Sequence, residues 1–128
     1  MTLKRVNVDG LMKLAAFSHA VVAGDFIYVS GCLGTQGETT NLAPGGTAGE
    51  TKEVLHNIET ILSGCGASMQ DVVKMGVFLR DMDTFAEMNS AYMEIMGDAP
   101  PARITVGKAG LALGAAVEID CIAYKPSS

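Results

Sequence analysis

The chain has 128 residues, 48% of them apolar and 18% charged, and nine basic against fourteen acidic side chains leave a formal charge of −5. This is too apolar for a disordered tail and long enough to bury a core, so one domain spanning residues 1–128 is expected. The acidic balance, 5% aromatic content and absence of tryptophan argue against nucleic acid, which would meet repulsion and few stacking platforms.

Residues 1–8 mix Lys4 and Arg5 with polar neighbours and hold no apolar run, so no secretory signal is read there and a cytoplasmic location is expected. Towards the C-terminus, Gly107–Val117 is apolar but glycine-broken, far short of the roughly 20 residues that cross a bilayer. No membrane partner is expected. Within the chain, Phe17–Ala23 and Phe26–Leu33 read as two strands joined at the turn dipeptide Gly24-Asp25. A long helix is expected to start at Thr47, with Thr47 and Glu50 as a capping box and Val54, Leu55, Ile58, Ile61, Leu62 and Cys65 at helical spacing. Gly66 is its natural stop.

Val72–Leu79 follows as a strong strand, and then a second helix with Thr84 and Glu87 as its capping box. Phe85, Met88, Tyr92, Ile95 and Met96 form its apolar side, and Gly97 ends it. Pro100-Pro101 deliver the chain into a short strand, Ala102–Val106, and Val117–Tyr124 is the last strand. The sum is an α+β layout, a mixed sheet with two helices on one face.

Two helices cover only one face of such a sheet, so the alternation along the strands decides what lies on the other. Ile27, Val29 and Leu33, then Ala102, Ile104 and Val106, and then Val117, Ile119, Cys121 and Ala123 are assigned to the helix side. That leaves Phe26, Tyr28, Ser30, Cys32, Phe78, Arg103, Thr105 and Glu118 on the open side. A face this apolar that also carries an arginine and a glutamate points to a homo-oligomer with a polar pocket at its interface.

Arg103 offers a planar fork suited to a carboxylate or phosphate, and it equally suits an ordinary ion pair with Glu118 or Asp120. Glu118 is a candidate general acid/base or water-positioning group, or simply that ion-pair partner. Ser30 precedes Gly31 without a nucleophile elbow around it, which favours a half-buried polar role. Cys32, Cys65 and Cys121 lack a C-x-x-C pair, and His19 and His56 lack ligand spacing, so buried thiols and no metal are expected. His19 is expected in a polar edge role and His56 on the surface. Neither Gly31-x-x-Gly34 nor Gly107–Gly114 meets a nucleotide-binding pattern.

The run Pro101-Ala102-Arg103-Ile104-Thr105-Val106, then Leu111, Gly114 and Val117-Glu118-Ile119-Asp120, resembles the signature of the RidA/YjgF family. Phe17-Ser18-His19-Ala20, Tyr28-Val29-Ser30-Gly31 and Phe85-x-x-x-Asn89-x-x-Tyr92 resemble further family segments, so the likeness covers nearly the whole chain. It implies a chorismate-mutase-like fold, a homotrimer with pockets between subunits, and hydrolysis of enamine/imine intermediates such as 2-aminoacrylate to 2-keto acids and ammonia. Arg103 would then clamp the substrate carboxylate and Glu118 would position or activate water. Phe17, Ser30, Gly31, Asn89 and Thr105 would line the pocket, and no cofactor is implied. Phe17 stands where deaminating members often carry tyrosine, Thr105 where they often carry cysteine, and Ala112 where the motif has proline. A binding module for small carboxylates, built on the same trimer, is the alternative to an enzyme.

Overall fold

In the computed structural model, which describes residues 3–126, six strands and two helices follow in the order β1 (Leu3–Val6), β2 (Ala20–Ala23), β3 (Phe26–Leu33), α1 (Gly46–Gly64), β4 (Val72–Leu79), α2 (Phe85–Met96), β5 (Ala102–Val106) and β6 (Val117–Tyr124). Met1 and Thr2, at the head of the stretch read for a signal, lie outside the described residues. The strands form one sheet in the order β1-β2-β3-β6-β4-β5, antiparallel throughout except for the parallel pair β4–β5. The α+β layout with a mixed sheet is therefore as expected. None of the described helices is long and apolar enough to cross a membrane.

The β2–β3 hairpin turns at Gly24-Asp25, where Ala23 faces Phe26 and Gly24 takes φ 61°. That left-handed conformation suits glycine and matches the twist of the flanking strands. β1 was not foreseen: its LKRV sequence is mostly exposed and shows no apolar alternation, because it is an edge strand held by pairing with β2.

Both helices lie on one face and bury Val54, Leu55, Ile58, Ile61, Leu62, Met88 and Tyr92 against Ile27, Val29, Met75, Val77, Val117, Ile119, Cys121 and Ala123. Cys65 caps α1 and Gly66 follows with φ 78°, and Gly97 ends α2 with φ 72°, so both stops fall where glycine removes the Cβ penalty.

The two expected capping boxes do not form. Helix α1 begins one residue early, and the Glu50 carboxylate, buried, accepts from Ala116 N at 2.9 Å instead of closing on Thr47. Thr84 is the N-cap of α2, but its hydroxyl donates to Asp81 O at 2.8 Å. In each case a nearby or long-range partner outcompetes the local cap.

Two assignments of side chains to faces are also corrected. In β5, Arg103 pairs with buried Met75 and Thr105 with buried Val77, so both point to the helix face, and Ala102, Ile104 and Val106 point to the open one. Alternation fixes which residues share a face, not which face; apolarity misassigned β5 because the open face is itself apolar. In β3 a bulge between Val29 and Cys32 shifts the register, so Cys32 pairs with Ile119 on the helix side and Leu33 with Glu118 on the open side. The open face carries Phe26, Tyr28, Ile104, Val106 and Tyr124, all large and exposed, with Phe26 and Tyr124 rings 5.1 Å apart.

Candidate functional site

The residues singled out from the sequence fall into two groups. Phe17, Ser30, Gly31 and Glu118 line one cavity of about 390 Å³, at the end of β3 beside the loop that precedes β2. Asn89 and Arg103 line a second, of about 280 Å³, with Tyr92, Met93, Met96, Gly97, Pro100 and Pro101. Thr105 is half-buried on the helix face and lines neither.

In the first cavity the β3 bulge brings Gly31 against the Glu118 side chain, so closely that a Cβ on Gly31 would collide with Glu118 Oε2. Glycine is required here by proximity rather than by dihedral angle. Burial pushes the Glu118 carboxyl above its ordinary range, and the Asp120 charge two residues on adds to the effect. The Ser30 hydroxyl donates to Ser18 O and is committed to holding the loop, in keeping with a structural part for it. The His19 ring is buried, accepts from Val8 N through Nδ1 at 3.0 Å and donates from Nε2 to Met12 O at 2.8 Å. It ties down the same loop from a buried position just before β2 rather than at a polar edge, while His56 is exposed as expected.

The thiols suit no nucleophilic part. Burial, then the charges of Glu118 and Asp120, push Cys32 up to about 12, and burial followed by Cys32 and Asp120 does the same for Cys121. No cluster of three or more metal-ligating side chains occurs among the described residues.

In the second cavity the rigid Pro100-Pro101 entry starts β5, and Arg103 Cζ stacks 4.7 Å from the Tyr92 ring centroid and 5.7 Å from that of Phe85. Both rings come from α2, where the i, i+4, i+7 spacing of Phe85, Asn89 and Tyr92 sets them along one side. No carboxylate among the described residues pairs with Arg103, so the ion pair with Glu118 or Asp120 is absent within the chain. Tyr92 is buried with its hydroxyl unpartnered among the described residues, and Asn89 donates to Met93 Sδ at 3.5 Å. Burial raises the Tyr92 phenol, opposed by the neighbouring guanidinium. The sequence marks Phe85 and Tyr92 only as apolar helix positions and family-like matches; their shared spacing with Asn89 is the signal that they form the floor under Arg103.

A guanidinium resting on two rings with no carboxylate paired to it among the described residues can grip a substrate carboxylate, and a carboxylate of raised pKa can exchange a proton with water. The two lie on opposite faces of one sheet. A single copy cannot bring them to one small molecule.

Comparison with known proteins bears on this arrangement. Residues 9–125 match the family described as Endoribonuclease L-PSP. A RutC family protein of Pyrococcus horikoshii is 38% identical over 112 residues, 88% of this chain and 89% of the relative. A 2-iminobutanoate/2-iminopropanoate deaminase of Bos taurus is also 38% identical over 112 residues, 88% of this chain and 82% of the relative. The solved structure of RidA from an Antarctic Psychrobacter species aligns with a TM-score of 0.88 at 34% identity, over 94% of this chain and 98% of that one.

Proposed function

The chain belongs to the Endoribonuclease L-PSP family, that of the RidA/YjgF proteins, and on that premise we propose that it is a homotrimeric hydrolase converting 2-imino acids, and the enamines that tautomerise to them, to 2-keto acids and ammonia. The observation that carries this reading is the placement of Arg103 and Glu118, each without an ion-pair partner among the described residues, on opposite faces of the sheet. The site is then completed between copies: Arg103 of one subunit meets Phe17, Gly31 and Glu118 of the next. The exposed apolar face of Tyr28, Ile104 and Val106 and the open edge of β5 supply surface for such an assembly.

In the mechanism, Arg103 holds the substrate carboxylate in a bidentate grip and so fixes the imine carbon against Glu118. The Glu118 carboxylate takes a proton from water as the water oxygen bonds to that carbon, giving a carbinolamine. From the iminium this carbinolamine is neutral. The protonated Glu118 gives its proton to nitrogen, and as the carbon–nitrogen bond breaks the Glu118 carboxylate takes the hydroxyl proton, so that the ketone forms and ammonia leaves with that proton as ammonium. An iminium carbon is already electrophilic, so positioning and general acid/base help of about 100-fold to 10,000-fold suffice. Asn89 lies at the mouth of the Arg103 cavity, and Thr105 supports the strand that carries Arg103.

Several 2-imino acids generated in situ by an amino-acid oxidase, followed with and without the protein, test this reading. Acceleration lost in Arg103→Ala is the expected result, and no acceleration of any imine by a folded trimer overturns the enzyme in favour of a carboxylate-binding module. The RNA cleavage in the family's descriptive name fits poorly with a charge of −5.

A further inference from the structure

The first cavity is much larger than the smallest imino acids need, and its walls are apolar. Leu14, Phe17 and Leu113 are each about half exposed, at 48%, 46% and 50%, and all three stand around this one opening. Single exposed hydrophobic residues need no explanation, but three converging on one cavity do. Leu113 is held there with φ 61° and ψ 15°, a left-handed conformation that an L-residue with a branched side chain rarely adopts. Deeper in, Leu11, Leu33 and Ile61 continue the apolar wall.

Most of the polar lining is committed within the protein. The two ring nitrogens of His19 bond Val8 and Met12, the Ser30 hydroxyl donates to Ser18 O, and the Asn57 Nδ2 donates to Leu33 O and Thr35 O, while its buried Oδ1 has no partner among the described residues. The charged group that remains is Glu118, at one side, with the Thr35 and Thr40 hydroxyls beyond it. A carboxylate-bearing side chain would be repelled by Glu118, and a methyl side chain would leave most of this apolar lining without contacts.

We infer that this cavity receives the substrate's side chain and selects 2-imino acids with branched, thioether or aromatic side chains over 2-iminopropanoate and 2-aminoacrylate. The inference rests on the deaminase reading for its chemistry, but the selectivity belongs to the cavity and is readable by binding alone. Each methylene buried against the leucines contributes about fourfold to kcat/KM or to affinity, so a change from methyl to isobutyl is worth several tens of fold.

The test measures kcat/KM for imines generated from alanine, 2-aminobutyrate, leucine and phenylalanine, together with calorimetric Kd values for pyruvate and 4-methyl-2-oxopentanoate. The expected result is a steady rise from the methyl to the isobutyl imine and tighter binding of the larger keto acid. In Leu113→Ser and Leu14→Ser the isobutyl-to-methyl ratio falls about tenfold while the assembly keeps its mass by light scattering. Tight, selective keto-acid binding without turnover of any imine overturns the deaminase reading and upholds the cavity's selectivity. Equal or weaker binding of the larger keto acid overturns the inference, whatever the turnover. So does a Leu113→Ser protein that loses its assembly with an unchanged ratio, since the leucine then serves a subunit contact.

Discussion

Arg103 stands opposite Met75, and Glu118 stands opposite Phe78, in neighbouring strand pairs of one sheet. Met75 is sealed beneath the helices and Phe78 lies on the other side, so the cation and the carboxylate are separated by the sheet itself. On the proposed reading, their separation makes assembly into a homotrimer a requirement for chemistry. It also sets the first prediction. Arg103→Ala is expected to lower kcat/KM at least about 100-fold with the assembly intact, because the guanidinium rests on rings rather than in the core. Arg103→Lys keeps the charge but loses the fork, and about a tenfold or greater loss is expected. Ammonia release measured alongside mass by light scattering checks both, and dissociation to unfolded monomers would mark Arg103 as structural instead.

The proposed role of Glu118 sets a pH dependence. Its carboxyl is raised by burial and by Asp120, so the acidic limb of kcat/KM should lie above the ordinary glutamate range and move to lower pH in Asp120→Asn. Asparagine retains an acceptor for Gly76 N, which Asp120 Oδ1 binds at 3.1 Å. The stability effect has the opposite sense. A carboxyl whose folded pKa exceeds its unfolded one contributes stability that is complete below the unfolded pKa and lost as pH rises through the folded pKa. Urea midpoints for wild type and Glu118→Gln should therefore diverge in favour of the variant as pH rises through that window, then run parallel.

Two glycines separate activity from stability. At Gly31 an added Cβ meets the mobile end of Glu118, whereas at Gly34 it would lie 2.7 Å from Glu50 O and 3.0 Å from Glu50 Cα, both backbone. Gly31→Ala should lose turnover at a stability cost under about 1 kcal/mol, and Gly34→Ala should lose about 1–3 kcal/mol because α1 must shift. Urea unfolding and imine turnover on the same two proteins distinguish the effects. Equal stability losses would contradict the assignment.

Glu50 is the buried tie between α1 and the entry to β6, and so to Glu118. Glu50→Ala leaves Ala116 N unsatisfied and is expected to cost about 2–3 kcal/mol, while Glu50→Gln keeps an acceptor and costs about 1 kcal/mol. Urea unfolding orders the three proteins, and an alanine variant no weaker than the glutamine one would remove Glu50 from this part.

The helices and their ends were legible because glycine at Gly66 and Gly97 and the apolar spacing of Val54 to Leu62 are local signals. The caps were not, since Glu50 is claimed by Ala116, 66 residues further on, which no local window contains. The site residues could be named from a family-like motif, and Phe17, Ser30, Gly31 and Glu118 do gather in one cavity. Their division from Arg103 could not be read. Which side of β5 faces the helices depends on the parallel register with β4, and that register is set by long-range packing rather than by the alternation of Ala102–Val106. Likewise the β3 bulge, one extra residue after Val29, exchanges the sides taken by Cys32 and Leu33 without any mark in the pattern.

Mixing two inactive variants tests most directly whether the site is shared between copies. Arg103→Ala and Glu118→Gln proteins, each inactive alone, are unfolded together in equal amounts, refolded and assayed for imine hydrolysis. Random assembly of a closed ring with each site spanning two subunits restores about a quarter of the wild-type sites, and so roughly that share of activity. Activity that stays at the level of the separate variants, in a mixture proven to contain mixed oligomers, would contradict a site built from Arg103 of one subunit and Glu118 of the next.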